Sequence, residues 1–322
     1  MTRLLPIASG KGGVGKSVLA ANLGLALAAR GRAVVLVDMD LGGSNLHTCL
    51  GVRNKHAGLG DFVWKRESAI ADLLVETEYE RLWFVPGDGL LPGTANLEWF
   101  AKKRLLKGLG ALPADFAILD LGAGSSYNVV DFFLASSDGL VVVRPEVTSI
   151  LNAYSFLKTA AFRALSRSFP EKSPGREAVM EFATSKTEGS GTSFLGFARE
   201  LASRFPEGAA ALERLGALRP RAVMNMGREG SDAALGYRLR DIVSKNLGVS
   251  IDFAGYLLED PAVPASVAAR RPLFASDPSA PFARGVEALA ARIDSSRPPA
   301  TVDFPDSDGG IDALVAEGLS MS

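Results

Sequence analysis

Apolar residues along this chain fall in short, nearly continuous runs, at residues 4–8, 33–37, 82–85, 116–119, 140–143, 222–224 and 251–257. A strand with one wet face alternates apolar and polar positions. Runs without alternation suit strands covered on both faces, as in a parallel sheet. Between them lie stretches with apolar positions at helical spacing, at 18–29, 97–109, 152–165, 235–247 and 282–293. Gly31 follows the first of these just before a run, where a helix C-terminal stop belongs. Strand and helix therefore alternate, which predicts an α/β fold with a doubly wound, mostly parallel sheet flanked by helices. Ligands of such sheets sit beyond the carboxyl ends of the strands.

The rhythm breaks at about 166–220. Pro170, Pro174, Gly175, the run 188–192, the run 206–208 and Pro220 interrupt it, and helical patterns at 194–204 and 209–215 lie between them. This reads as a helical insert beside the sheet, too short and polar for a core of its own. From Asp294 the chain turns Ser/Pro/Asp-rich, as a flexible linker does. It ends in an apolar stripe, Ile311, Leu314, Val315 and Leu319, at helical spacing. The expected organisation is one domain over 1–293, with the insert, and an acidic tail over 294–322 with a short C-terminal helix.

The first run leads straight into Gly-Lys-Gly-Gly-Val-Gly-Lys-Ser at residues 10–17, and a helical pattern follows. Strand, glycine-rich loop and helix in that order make a phosphate-binding loop. Gly10, Gly12, Gly13 and Gly15 let backbone N–H groups turn inward on phosphate oxygens, and the helix adds its positive end. Lys16 reaches the β- and γ-phosphates of ATP, and the Ser17 hydroxyl ligates Mg²⁺. Lys11 has two readings: a second cation beside the phosphates, or a solvated lysine at a loop tip.

Further acidic residues stand at strand ends. Asp38 and Asp40 are two apart, so both side chains point one way. Asp38 can orient metal-bound water or the loop lysine, and Asp40 can position or deprotonate the attacking water. Strand-end solvation is the alternative for both. Asp120 ends an apolar run and can hold Mg²⁺ through water. The Leu121-Gly122-Ala123-Gly124 backbone after it can order or relax with the nucleotide. The run 126–133 reads as a helix linked to that loop or as plain core. Asn225 can donate to and accept from an adenine edge, or cap its strand.

With a phosphate loop of the Lys-Gly-Gly-Val-Gly-Lys-Ser form, the chain resembles the MinD/ParA superfamily of deviant Walker A ATPases. The run 34–46, the Arg144-Pro145-Glu146-Val147-Thr148-Ser149-Ile150 stretch, Asn225 and Leu258-Glu259-Asp260-Pro261 are similar to FlhG/FleN and MinD proteins in particular. The likeness covers 4–165 and 220–290 and fails over the insert and the tail. It implies a P-loop NTPase fold, and ATP contacts at Gly10, Lys11, Gly12, Gly13, Val14, Gly15, Lys16, Ser17, Val18, Asn225, Glu259 and Asp260. It implies catalytic roles for Lys11, Lys16 and Asp40, metal contacts at Ser17, Asp38 and Asp120, and nucleotide sensing at Asn45, Gly122 and Gly124. In such proteins Lys11 would cross to the nucleotide of a second subunit. The implied function is a slow, partner-stimulated ATPase switch with Mg²⁺, homodimeric with ATP, in control of flagellar number and placement. The alternatives are a ParA/MinD-like ATPase that positions division machinery, chromosome or cargo, and a nucleotide-gated scaffold with negligible turnover.

Composition narrows this little. The chain has 322 residues, 47% hydrophobic and 22% charged, with a net charge of −1, so no global field draws it to nucleic acid or anionic lipid. Arg238, Arg240 and Lys245 could form a local DNA-binding face, but Asp241 among them suits a solvated one. The C-terminal stripe could seek a membrane, yet its polar positions include Asp312 and Glu317 and no lysine or arginine. Docking on the protein's own surface or on a partner suits it better. Cys49 is the single cysteine, expected buried, which excludes an intrachain disulfide and a paired-cysteine metal site. His47 and His56 lack partners at ligand spacing, and Trp64, Trp83 and Trp99 read as packing. No apolar run approaches the roughly 20 residues that span a bilayer, so the expected place is the cytoplasm, with transient recruitment to a membrane, pole or nucleoid.

Overall fold

A computed structural model describes residues 2–321 except 41–42, 54, 65–68, 88–96, 138, 186–192 and 297–309. Part of the tail linker, the breaker run 188–192 and the Leu41-Gly42 pair lie outside the described residues, as does the Trp99 side chain. The strands are β1 (Arg3–Ala8), β2 (Val34–Met39), β3 (Val75–Glu76), β4 (Leu82–Val85), β5 (Phe116–Leu121), β6 (Leu140–Val143), β7 (Arg221–Gly227) and β8 (Asp252–Leu258). They form one sheet in the order β3-β4-β2-β5-β1-β6-β7-β8. Every neighbouring pair is parallel except β3 with β4. The burial of all six residues of β2 and of β5 explains their unbroken apolar runs.

Helices cover both faces. On one face lie α1 (Lys16–Ala29), α2 (Leu46–Leu50), α12 (Leu273–Ser276) and α13 (Pro281–Ser295). Leu19, Leu23, Leu50, Phe282 and Leu289 meet Leu5, Ile7, Leu36 and Ile118 of the sheet there. The other face carries α4 (Trp99–Gly110), α5 (Tyr127–Phe133), α6 (Val147–Arg167), α7 (Pro174–Ser185), α8 (Phe194–Arg204), α9 (Gly208–Gly216), α10 (Ala233–Leu247) and α14 (Gly310–Leu319). Short helices α3 (Leu59–Val63) and α11 (Ala262–Ala268) complete the set.

Among its described residues the insert holds three helices rather than two. α7 begins at Pro174, which the sequence marked as a breaker; a proline in the first turn has no hydrogen bond to lose there. Val179, Phe197, Leu201 and Leu215 of the insert join the same apolar cluster as Phe156 of α6 and Val243 of α10. Phe182 stacks on Phe197, ring centroids 3.8 Å apart. α6 also starts earlier than its apolar stripe suggests, directly after Glu146.

The C-terminal helix α14 docks on the chain itself, against β8 and α10. Ile311 and Val315 are buried beside Met224, Phe253 and Tyr256. The Tyr237 hydroxyl donates to Asp312 at 2.5 Å, and Arg292 of α13 pairs with Glu317. Cys49 is buried, which raises its thiol pKa to about 11. Trp64, expected to pack, is 58% exposed. Among the described residues no helix is long and apolar enough to cross a membrane.

Candidate functional site

β1 and β5 are neighbours at the centre of the sheet, and the loop 9–15 leaves the carboxyl end of β1. Three contacts from distant chain segments shape that loop. Gly10 sits so close to α6 that a Cβ there would stand 2.1 Å from the Asn152 carbonyl oxygen. Gly15 has a left-handed φ of 87°, and a Cβ on it would meet the Asn225 amide nitrogen at 2.4 Å. That amide donates to the Val14 carbonyl at 2.9 Å, and Asn225 is buried. The third contact joins the loop to the segment after β5: the Gly124 N–H donates to the Ser9 carbonyl at 3.0 Å, while the Ser9 hydroxyl donates to the Lys11 carbonyl at 2.7 Å. Gly12 and Gly13 have open space where a Cβ would point. Val14 is buried, and Val18 gives its carbonyl to the Asn22 amide at 2.7 Å.

Lys16 and Ser17 open α1 beneath this cradle. Asp38 of β2 and Asp120 of β5 are register partners, so their carboxyls lie side by side under the loop. Both are buried. Burial and the neighbouring Asp38 charge push the Asp120 carboxyl up to about 7, although a hydrogen bond with Ser17 and the Lys16 charge act the other way. Asp120 Oδ1 is buried without a hydrogen-bond partner. A buried carboxylate with one spare oxygen beside a serine hydroxyl fits Mg²⁺, which takes oxygen ligands and would relieve the charge. Among the described residues no group of three or more His, Cys, Asp or Glu is arranged to hold a metal. A metal here would therefore draw its other ligands from phosphate and water.

Asp38 is engaged with the segment that follows β2. Its Oδ2 accepts from the Ser44 hydroxyl at 2.6 Å and the Leu46 N–H at 3.1 Å, and its Oδ1 accepts from the Asp40 N–H at 3.1 Å. Burial raises its pKa against those bonds. Asp40 stands at the loop entry, and a Cβ on Gly122 would come within 3.2 Å of its Oδ1. The segments after β2 and after β5 thus touch through Asp40 and Gly122. Asn45 precedes α2, and its amide donates to the Gly43 carbonyl at 2.6 Å.

Lys11 turns to the opposite side. Its ammonium donates to Glu146 at 2.9 Å, and Arg144 holds the other Glu146 oxygen at 3.0 Å. The Lys11 hydrogen bond and the Arg144 charge keep the Glu146 carboxyl below its ordinary range. Nothing in the spacing of residues 135 positions apart announces this pair. Glu259 pairs with Arg228 at the surface. Asp260 caps helices: its oxygens accept from the Ala262 N–H at 2.9 Å and the Phe282 N–H at 3.2 Å. On α10, Lys245 pairs with Asp241 at 3.8 Å and Arg240 lies over the Tyr237 ring. That face carries its own counter-charges.

Residues 5–273 match the family model of the CobQ/CobB/MinD/ParA nucleotide-binding domain. The chain belongs to that family. Family membership accounts for the phosphate loop, the acidic strand ends and the sheet order together. Among curated proteins of the MinD/ParA type, the flagellum site-determining protein YlxH of Helicobacter pylori is 32% identical over 164 residues, 49% of this chain and 53% of that one. The antiactivator FleN of Pseudomonas aeruginosa is 34% identical over 158 residues, 48% of this chain and 55% of that one. The chain spans about half the length of these relatives. Among solved structures, septum site-determining MinD complexed with Mg-ADP from Pyrococcus horikoshii aligns with a TM-score of 0.59 at 20% identity, over 92% of this chain and 97% of that one. MinD in the MinC:MinD complex of Aquifex aeolicus aligns at 0.60 and 20%, over 94% and 100%. At such identities the structures share the fold.

Proposed function

We propose that this MinD/ParA-type protein is an ATP-dependent switch that binds Mg-ATP at the 10–17 loop, pairs with a second copy and is released by slow hydrolysis. The observation that carries this reading is the spare Asp120 oxygen next to Ser17, at the glycine-rich loop. Ser17 and Asp120 would hold Mg²⁺, which neutralises phosphate charge when bound. Lys16 and the loop amides bind the phosphates. Asp40 orients water or takes its proton, and Gly122 lets its carboxyl stand close to the site. Lys11, drawn from Glu146, reaches the nucleotide of the second copy and stabilises charge that develops during transfer. The likeness to YlxH and FleN supports a role in flagellar number or placement, with a protein partner that stimulates turnover.

Calorimetric titration with Mg-ATP tests the binding step. Wild type should take up Mg-ATP at a site that Lys16→Ala loses. No uptake by wild type at millimolar nucleotide would end the proposal. Turnover by wild type against Asp40→Ala then separates a hydrolase from a nucleotide-gated scaffold: equal, negligible rates would favour the scaffold.

A further inference from the structure

A second concentration of positive charge lies away from the phosphate loop. A cavity of about 770 Å³ opens between α4, α5, α6 and the start of α7. At its floor lies Asp131, 2% exposed. Three cations converge on that one carboxylate. Lys102 donates to it at 2.8 Å, Arg163 grips it with two bonds at 2.7 and 3.0 Å, and Arg167 stands at 3.1 Å. Lys103 and Arg176 also line the cavity, and Glu171 is the other acid among the described lining residues. Lys103 aside, four cations therefore face two carboxylates among the described lining residues, in a chain whose net charge is −1.

One carboxylate cannot neutralise three cations. Glu171 is 85% exposed and 3.9 Å from Arg176, a surface pair that does nothing for the floor. Arg167 shows the imbalance: burial lowers its pKa, and the like charges of Arg163 and Arg176 add to that against the pull of Asp131. Lys102 is itself buried, at 7% exposure, so solvent does not screen it as it would a surface lysine. Asp131 fixes three long side chains with their excess charge toward the cavity. Arginine forks held in place in a concave site suit phosphate oxygens, and the volume lies in the range of small-molecule sites.

We propose that this cavity is a second anion site, distinct from the 10–17 loop, that takes a small molecule bearing two or more phosphate groups. Lys102, Arg163 and Arg167 form its floor, and Arg176 contacts the ligand at the mouth. Its place has a consequence for the first site. α5 carries Asp131, and α5 follows directly on the Gly122–Gly124 segment that reaches the phosphate loop. A ligand in the cavity would load that helix from its far end.

The alternative is a structural clasp that ties α4, α5 and α6 together. Calorimetry on the full chain separates the two. With magnesium and nucleotide omitted, sodium tripolyphosphate is titrated into wild type, Arg167→Gln and Arg176→Glu. Lys16→Ala, with the phosphate loop disabled, is titrated in the same way. The expected result is one further site per chain, weakened about tenfold or more in each arginine variant and retained in Lys16→Ala. Its affinity should fall with added salt. In thermal melts tripolyphosphate should raise the wild-type midpoint, and Arg167→Gln alone should leave or raise it, because the substitution relieves like-charge repulsion. No uptake by Lys16→Ala would overturn the proposal, as would a site indifferent to both arginine variants. A lower Arg167→Gln midpoint with no tripolyphosphate uptake by wild type would reduce the cluster to a clasp. Uptake of a poly-glutamate peptide with tripolyphosphate excluded would assign the cavity to an acidic protein segment instead. Should Mg-ATP binding at the phosphate loop fail altogether, the Lys16→Ala arm still reads this cavity on its own.

Discussion

Asp120 and Lys11 carry the residue-scale consequences of this structure. The Asp120 carboxyl titrates near 7 in the folded chain against about 4 when unfolded. Below about pH 4 both states hold the proton and the group contributes nothing to stability. Between about 4 and about 7 only the folded chain keeps it, so stability falls as pH rises; above about 7 the full penalty, on the order of 4 kcal/mol, is present. Asp120→Asn should therefore raise the melting midpoint of the nucleotide-free protein at pH 8, and the gain should shrink toward pH 4. In the presence of Mg-ATP the order should reverse, because the variant loses the metal contact. Thermal melts across pH, with and without Mg-ATP, check both halves. Lys11 and Glu146 are partly exposed, at 29% and 38%, so their pairing is worth at most about 1 kcal/mol. Glu146→Gln should leave folding nearly unchanged. On an Asp40→Ala background it should tighten Mg-ATP-driven pairing by about fivefold or less, as read by sedimentation; weaker pairing would mean that Glu146 supports the dimer and does not restrain Lys11.

Among elements, the segments around the phosphate loop hold the most information, and they were legible in unequal degree. The parallel strands could be read because strands buried on both faces must be apolar throughout. The loop could be read because its glycines and lysines are contiguous. β3 could not, since two residues carry no period. α7 was hidden because a proline that opens a helix looks like one that ends it. The clamp of Asn225 on Val14 and the gathering of cations on Asp131 join residues far apart in the chain, and no local pattern encodes such contacts. Two substitutions test the elements that meet at the site. Asn225→Ala removes the bond to Val14, and should weaken Mg-ATP binding about tenfold and cost roughly 1–2 kcal/mol of stability. Gly122→Ala pushes a methyl to 3.2 Å from the Asp40 carboxyl. It should lower kcat about tenfold or more while KM changes little, because a misplaced water-orienting group affects chemistry more than binding. An unchanged kcat would separate Asp40 from that step.

At the scale of the whole molecule, helices lie on both sides of one sheet, and the last helix closes a gap beside β8 and α10. Deletion of residues 310–322 would expose the ground under Ile311 and Val315. Each such side chain is worth about 1.5–3 kcal/mol when fully buried, less the cost of ordering the helix. The truncated chain should lose on the order of 2–4 kcal/mol in urea unfolding. An unchanged midpoint would mean that α14 rests on the sheet without holding it.

The Asn225 amide closes on Val14 across 211 residues of sequence. A nascent polypeptide emerges from the ribosome in order, so the lysines and glycines of the first turn appear long before the side chain that locks them. During synthesis the triphosphate grip must stay loose through most of translation, and it becomes competent only as the seventh strand joins the sheet.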